Sequence, residues 1–249
     1  MKKGKIAAYI AACLLPAPAM LLGLWWLCND YIVTLSFALA FFVFPALAIA
    51  VCVLLIRARF HPALRAVLCV VILALATILN LGLMVVGHFS TLTKAKGEEA
   101  LEAYSAVAAD VEELPPVSEM GEPERVEYYH FFDIFAIYFD SDCDILICTY
   151  DGEEYAQRKE MLDTICDFRQ EPAEACGYTV EPAITVDGYE FRMLEFSECW
   201  DPYPKKMVYV AACDEAGEIA YLYYTDSDLD YVDDMEAHIR DSFGWKYIR

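Results

Sequence analysis

IVTLSFALAFFVFPALAIAVCVLLI, residues 32–56, and AVLCVVILALATILNLGLMVVG, residues 66–87, contain no Asp, Glu, Lys, Arg or His. A helix needs about 20 apolar residues at ~1.5 Å rise to cross the hydrocarbon core of a bilayer, and each stretch is long enough. A third apolar run, residues 6–28, precedes them, separated only by the connectors 29–31 and 57–65. The pattern predicts an α-helical membrane block of three transmembrane helices over residues 1–90. Everything beyond it is polar, acidic and patterned like an α+β domain with a largely antiparallel sheet.

The whole-chain figures, 249 residues with net charge −21 and mean hydropathy +0.34, average two unlike parts. Residues 1–97 hold eight Lys/Arg and one acid, for a net of +7; residues 98–249 hold 10 basic and 38 acidic residues, for a net of −28. So acidic a domain repels nucleic acid and anionic headgroups, which excludes nucleic-acid binding. Cytoplasmic loops retain Lys and Arg during insertion. Lys2, Lys3, Lys5, Arg57, Arg59 and Arg65 therefore place the N-terminus in the cytoplasm and the acidic domain outside the plasma membrane. Trp25, Trp26 and Tyr31 fall where the first hairpin would meet the outer interface, as aromatic belts do. Ala17-Pro18-Ala19 and Ile10-Ala11-Ala12-Cys13 imitate processing sites, but apolar sequence continues to Cys28, so the run is assigned as a span.

Ion and solute pathways need ionisable groups at depth, and the spans have none, which argues against transport. Asn80 is the one strongly polar residue well inside a span, and an interhelical hydrogen bond is expected for it. The block is an anchor or assembly module, with the bilayer and a membrane or envelope protein as its partners.

Residues 91–124 divide into an amphipathic helix over 98–114, a stalk or the first helix of the domain, and a linker marked by Pro115, Pro116, Gly121 and Pro123. The acidic extracytoplasmic domain is assigned to 125–249. Two buried strands, 126–139 and 145–150, are expected around a polar turn at 140–144, then a helix over 153–169. Asp187-Gly188 supplies the positive φ angles of a type I′ hairpin between 178–186 and 189–196. A second hairpin, 207–213 with 218–225, and a helix over 229–243 stopped by Gly244 complete the order.

Ile147-Cys148-Thr149-Tyr150, with Arg158 ten residues on, resembles the end of the sortase family's active-site strand. The resemblance implies Cys148 as nucleophile and Arg158 as oxyanion partner, with a histidine completing the set. His130 is the nearest one in the domain. The chain before Cys148 is too short for the barrel of that family, and Arg158 falls on a predicted helix, so a buried strand cysteine is the expected role. Asp140, Asp142, Asp144 and Asp151 imitate a calcium loop, but Ile145 stands where the loop glycine belongs and the bidentate Glu is missing. A solvated turn is the expected state. No CxxC pair exists, and His130 and His238 lack metal-ligand spacing to the cysteines, so no zinc site is expected. Cys143, Cys176 and Cys199 are the loop cysteines open to disulfide pairing. Trp200 and Tyr203, in a Pro-stiffened loop, are candidate ligand contacts. No cofactor is expected. The expected function is a non-catalytic extracytoplasmic binding or accessory protein. The alternatives are an envelope hydrolase or transpeptidase using Cys148, and a small subunit of a larger membrane complex.

Overall fold

The computed structural model describes residues 17–27, 35–135, 139–175, 178–197, 205–226 and 234–249. Contacts divide the chain into two units, Met1–Thr91 with Ile134–Tyr138, and Leu92–Asp133 with Phe139–Arg249.

In the first unit, α1 (Ala17–Leu27) precedes a run made of a helical turn (Leu35–Ala38), a π-helical turn (Leu39–Val43) and α2 (Phe44–Arg57). Pro45 explains the π turn. It has no N–H, and its ring would press on the carbonyl of Phe41, so the helix widens by one residue just before it. α3 (Pro62–Val86) returns after a short loop. Arg65 Nη1 donates to the Ile56 carbonyl at 3.0 Å, satisfying one of the open carbonyls at the end of α2. Cys52 and Cys69 face each other across α2 and α3, each thiol 3.9–4.0 Å from the other's carbonyl oxygen. α1 crosses closely at Gly23, where a Cβ would lie 2.7 Å from Phe41. Among the described residues two helices, not three, are long and apolar enough to span a membrane: Leu39–Arg57, 19 residues, and Pro62–Leu83, 22 residues. Of the first apolar run, residues 6–28, the described residues hold the helix Ala17–Leu27, and the rest lies outside them.

The second unit is a mostly antiparallel seven-stranded sheet in the order β1-β2-β3-β9-β8-β7-β6. Its strands are β1 (His88–Lys96), β2 (Arg125–Phe135), β3 (Phe139–Thr149), β6 (Ala183–Val186), β7 (Tyr189–Ser197), β8 (Lys205–Cys213) and β9 (Glu218–Asp226). β4 (Ala173–Ala175) and β5 (Tyr178–Val180) form a separate hairpin. Asp187 and Gly188 both have positive φ, 52° and 84°, as the β6–β7 turn requires.

Alternation along the strands sorts the side chains to two covered faces. Leu146, Cys148, Val208, Val210, Ile219 and Tyr221 pack under α4 (Glu98–Asp110) and α5 (Gly152–Ile165). α4 is thus a core helix rather than a stalk: Tyr104 is buried against Tyr221 and donates to the Pro115 carbonyl at 2.9 Å. Phe191, Tyr209 and Tyr224 lie on the opposite face, against Phe243 and Trp245 at the chain end. That end comprises α6 (Met235–Asp241), capped by Asp234 Oδ1 on the Ala237 N–H, and a 3₁₀ turn Trp245–Tyr247.

Two expectations are corrected here. The segment 88–96, assigned above to a span end and linker, is the edge strand β1. The acidic stretch 140–144, expected as a turn, lies inside β3, because strand pairing with β9 runs from Ser141 to Thr149 without a break.

Candidate metal centre

An Asp-x-Asp pair on a strand projects both carboxylates from one face, since side chains alternate with a period of two. Asp142 and Asp144 share the face of Leu146 and Cys148, but lie beyond that core, towards the start of β3. β2 is the neighbouring strand and sets His130 beside them. His130 Nδ1 is 3.0 Å from Asp144 Oδ1 and 3.1 Å from Asp142 Oδ1. The Tyr128 hydroxyl, two residues back on the same face, donates to Asp144 Oδ1. Across β9, Tyr223 is the register partner of Asp144.

The side chains are 35%, 43% and 14% exposed for His130, Asp142 and Asp144, so the group opens to solvent with Asp144 innermost. The hydrogen bond to Asp144 raises the His130 imidazole above its ordinary value, outweighing burial, and Asp142 adds to the rise. Burial pushes Asp142 up to about 6; His130 opposes this, and Asp144 and Asp140 reinforce it. Burial and the adjoining Asp144 raise the Tyr128 phenol, which stays a donor. Negative charge is therefore held here at a cost, and a bound cation would relieve it. His130, Asp142 and Asp144 each present one ligand atom, and the three atoms lie within 4.8 Å of one another.

The structure distributes the other candidate residues differently. Asp151 is the N-cap of α5, at the opposite end of β3, where its Oδ1 accepts from the Glu153 and Glu154 N–H groups at 3.0 and 2.9 Å. It belongs to helix initiation, so the four-aspartate loop is replaced by a strand pair and a cap. Asp140 stands outside the three-residue group. Cys148 is fully buried, and burial pushes its thiol up to about 12. A nucleophilic cysteine needs a lowered thiol pKa and access, and Cys148 has neither. Arg158 is engaged elsewhere, Nε with Glu154 Oε1 at 2.8 Å and Nη1 with the Glu119 carbonyl at 3.4 Å. The sortase-like string therefore does not assemble: His130 faces acids, Arg158 faces α5 and the 119–121 turn, and Cys148 is in the core. Cys148→Ala is expected to cost about 1–2 kcal/mol through lost packing. A thiol reagent should leave Cys148 unmodified in the folded protein, which mass mapping of the labelled peptides checks.

Cys143 is likewise a buried strand residue, and Cys143, Cys148, Cys166 and Cys213 are free thiols. Cys176, Cys199, Trp200 and Tyr203 lie outside the described residues. In the helical unit, Asn80 Oδ1 is buried without a hydrogen-bond partner among the described residues, where an interhelical bond was expected. It lines a largely apolar cavity of about 620 Å³ with Pro18, Phe41, Pro45 and Thr77. Thr77 instead donates to Leu73 of its own helix at 2.8 Å.

Two buried carboxylates were not anticipated. Glu127 on β2 meets Lys94 and Lys96 at 3.0 Å and Arg125 at 3.2 Å, and Glu218 on β9 meets Arg249 at 2.5 Å. Arg125, two residues before Glu127, was the one local signal; Glu218 has no basic residue near it in sequence, and which cations converge depends on strand pairing. His130, Asp142 and Asp144 were each noticed singly for the same reason.

Comparison with family models, with curated proteins and with solved structures finds no match to this chain. The molecule is thus defined by its own features, a mostly antiparallel α+β unit together with a helical unit holding two membrane-length apolar helices.

Proposed function

We propose that the chain is a membrane-anchored protein whose acidic α+β domain stands outside the cytoplasm and acts as a binding or sensing module for a membrane or envelope partner. The observation that carries this reading is α3. It is apolar on every side, yet none of its most apolar stretch is buried within the protein, with Val70 and Ile78 66% and 63% exposed. A helix apolar all round is stable only when something apolar surrounds it, and lipid does so along the whole length. The six N-terminal and loop Lys/Arg support the orientation. Burial of Cys148, with Arg158 held by Glu154, favours binding over Cys-dependent turnover.

Orientation is testable at Glu171, an exposed residue of the domain. Over the wild-type background, Glu171→Cys should take up an impermeant thiol reagent in intact cells; labelling only after lysis would reverse the topology. The anchor itself predicts that the protein stays with membranes in alkaline carbonate and leaves only with detergent. Release by carbonate alone would sink it. Pull-down with the intact protein, next to Cys148→Ala, then separates partner binding from catalysis, since turnover lost in that variant would overturn the binding reading.

A further inference from the structure

We propose that His130, Asp142 and Asp144 form a binding site for one divalent transition-metal ion, of the Mn²⁺ or Zn²⁺ kind. This deepens the binding reading by naming a ligand, but all three residues lie on the sheet unit, so it stands whether or not the anchor reading holds.

The first argument is geometric. Ligand atoms on one face of an octahedral ion with bonds of ~2.1 Å lie ~3.0 Å apart. The imidazole nitrogen is 3.0 and 3.1 Å from the two carboxylate oxygens. Those two spacings suit neighbouring ligands of a shared ion, and the three atoms all lie within 4.8 Å of one another.

The second argument counts hydrogens. Nδ1 carries at most one proton, and two carboxylate oxygens lie beside it. Asp144 Oδ1 makes the hydrogen bond and also accepts from Tyr128. Asp142 Oδ1, a buried atom, has no hydrogen-bond partner among the described residues although it lies 3.1 Å from the same nitrogen. A single proton cannot satisfy both carboxylates, whereas one cation at the centre of the three atoms does. Tyr128 would then orient the ligating Asp144 carboxylate, as hydrogen-bonding groups around bound metals do.

The third argument is the donor set. One imidazole nitrogen with two carboxylate oxygens suits Mn²⁺, Fe²⁺ or Zn²⁺ better than Ca²⁺ or Mg²⁺, which favour all-oxygen cages. Exposure of His130 and Asp142 leaves the outward coordination positions to water or to a partner's anionic group. A divalent ion here would give a domain of net charge −28 one local point of attraction for such a group.

The test uses the full chain in detergent, dialysed to equilibrium against Mn²⁺ in about 1 M KCl, where a Debye length of ~3 Å removes diffuse counter-ion binding. Wild type should hold one Mn²⁺ per chain, and its electron paramagnetic resonance should carry nitrogen coupling. Asp142→Asn with Asp144→Asn should lose the ion. His130→Gln should bind at least tenfold more weakly and lose the nitrogen coupling, while Glu171→Gln with Glu181→Gln should bind like wild type. Zn²⁺ should displace Mn²⁺ at concentrations where Mg²⁺ does not. Retention of one Mn²⁺ by both ligand-site variants would overturn the proposal, as would no Mn²⁺ on wild type or equal loss in the distant double variant. Should the Asp double variant fail to fold by circular dichroism, His130→Gln and the nitrogen signal decide alone.

Discussion

Truncating Trp245 to alanine should destabilise the sheet unit by about 3–5 kcal/mol, the usual cost of deleting a buried tryptophan, and lower its melting temperature by roughly 10 °C. Trp245 is fully buried and meets Tyr189 and Phe191 edge-on, with ring centroids 4.9 and 5.0 Å apart. Its neighbour Phe243 stacks on Tyr224 at 4.2 Å. Between them Gly244 takes φ 70°, and a Cβ there would lie 2.4 Å from the Phe131 ring. The chain end thus closes one face of the sheet, and removing its largest side chain opens that face. The indole Nε1 has no hydrogen-bond partner among the described residues. Trp245→Phe therefore leaves no acceptor unpaired and should cost only about 1–1.5 kcal/mol. Urea unfolding of the three proteins checks both values. Alanine within 1 kcal/mol of wild type, by the same reckoning of buried area, would mean that the chain end contributes little to the core.

Glu127→Gln should be the most damaging single charge change. Glu127 is 5% exposed and gathers Lys94, Lys96, Arg125 and the Tyr129 hydroxyl. Neutralising it leaves three cations around a group that no longer balances them, at a cost of about 2–3 kcal/mol. The same arrangement sets a pH dependence. Burial alone would raise the carboxyl, but hydrogen bonds from Lys96, Lys94 and Tyr129 overcome it and hold the group down at about 2, against an ordinary 4.5. A group with a lowered folded-state pKa stabilises the fold above its unfolded value and loses that contribution as pH falls towards the folded value. The window is therefore pH 4.5 down to about 2. Within it the wild type should lose about 1–3 kcal/mol more than Glu127→Gln, the lower figure allowing for solvent screening at the more exposed lysines. Stability measured at pH 5 and pH 2.5 in both proteins tests this; equal losses would show that Glu127 is not the titrating group.

Most of the element order was legible because it is written in local chemistry. Asp187-Gly188 favours a turn with two positive φ angles, and Gly244, at φ 70°, follows the end of the last helix. The acids of the α5 first turn, Glu153 and Glu154, mark a helix start by the same local logic, whereas the cap Asp151 was grouped with the aspartates of 140–144. β1 was missed because His88–Lys96 is short of large apolar residues, and an edge strand pairs along one side only. The aspartates of 140–144 misled for a related reason: acidic runs favour turns locally, yet pairing with β9 outweighs that preference and keeps them extended.

By itself the sequence determined what depends on composition and period: apolar runs of membrane length, a strongly acidic domain that nucleic acid would avoid, and an alternation of strands and helices that yields an α+β sheet. Tertiary structure alone decided which distant residues meet. His130 reaches Asp142 and Asp144 only because β2 and β3 are neighbours, and Arg249 reaches Glu218 only because the chain end folds onto the sheet. The buried Cys148 was expected from its apolar strand, but which helices cover it, α4 and α5, was decided only by the tertiary structure. Burial is a property of what packs above a residue, and a strand carries no local record of which helix will cover it.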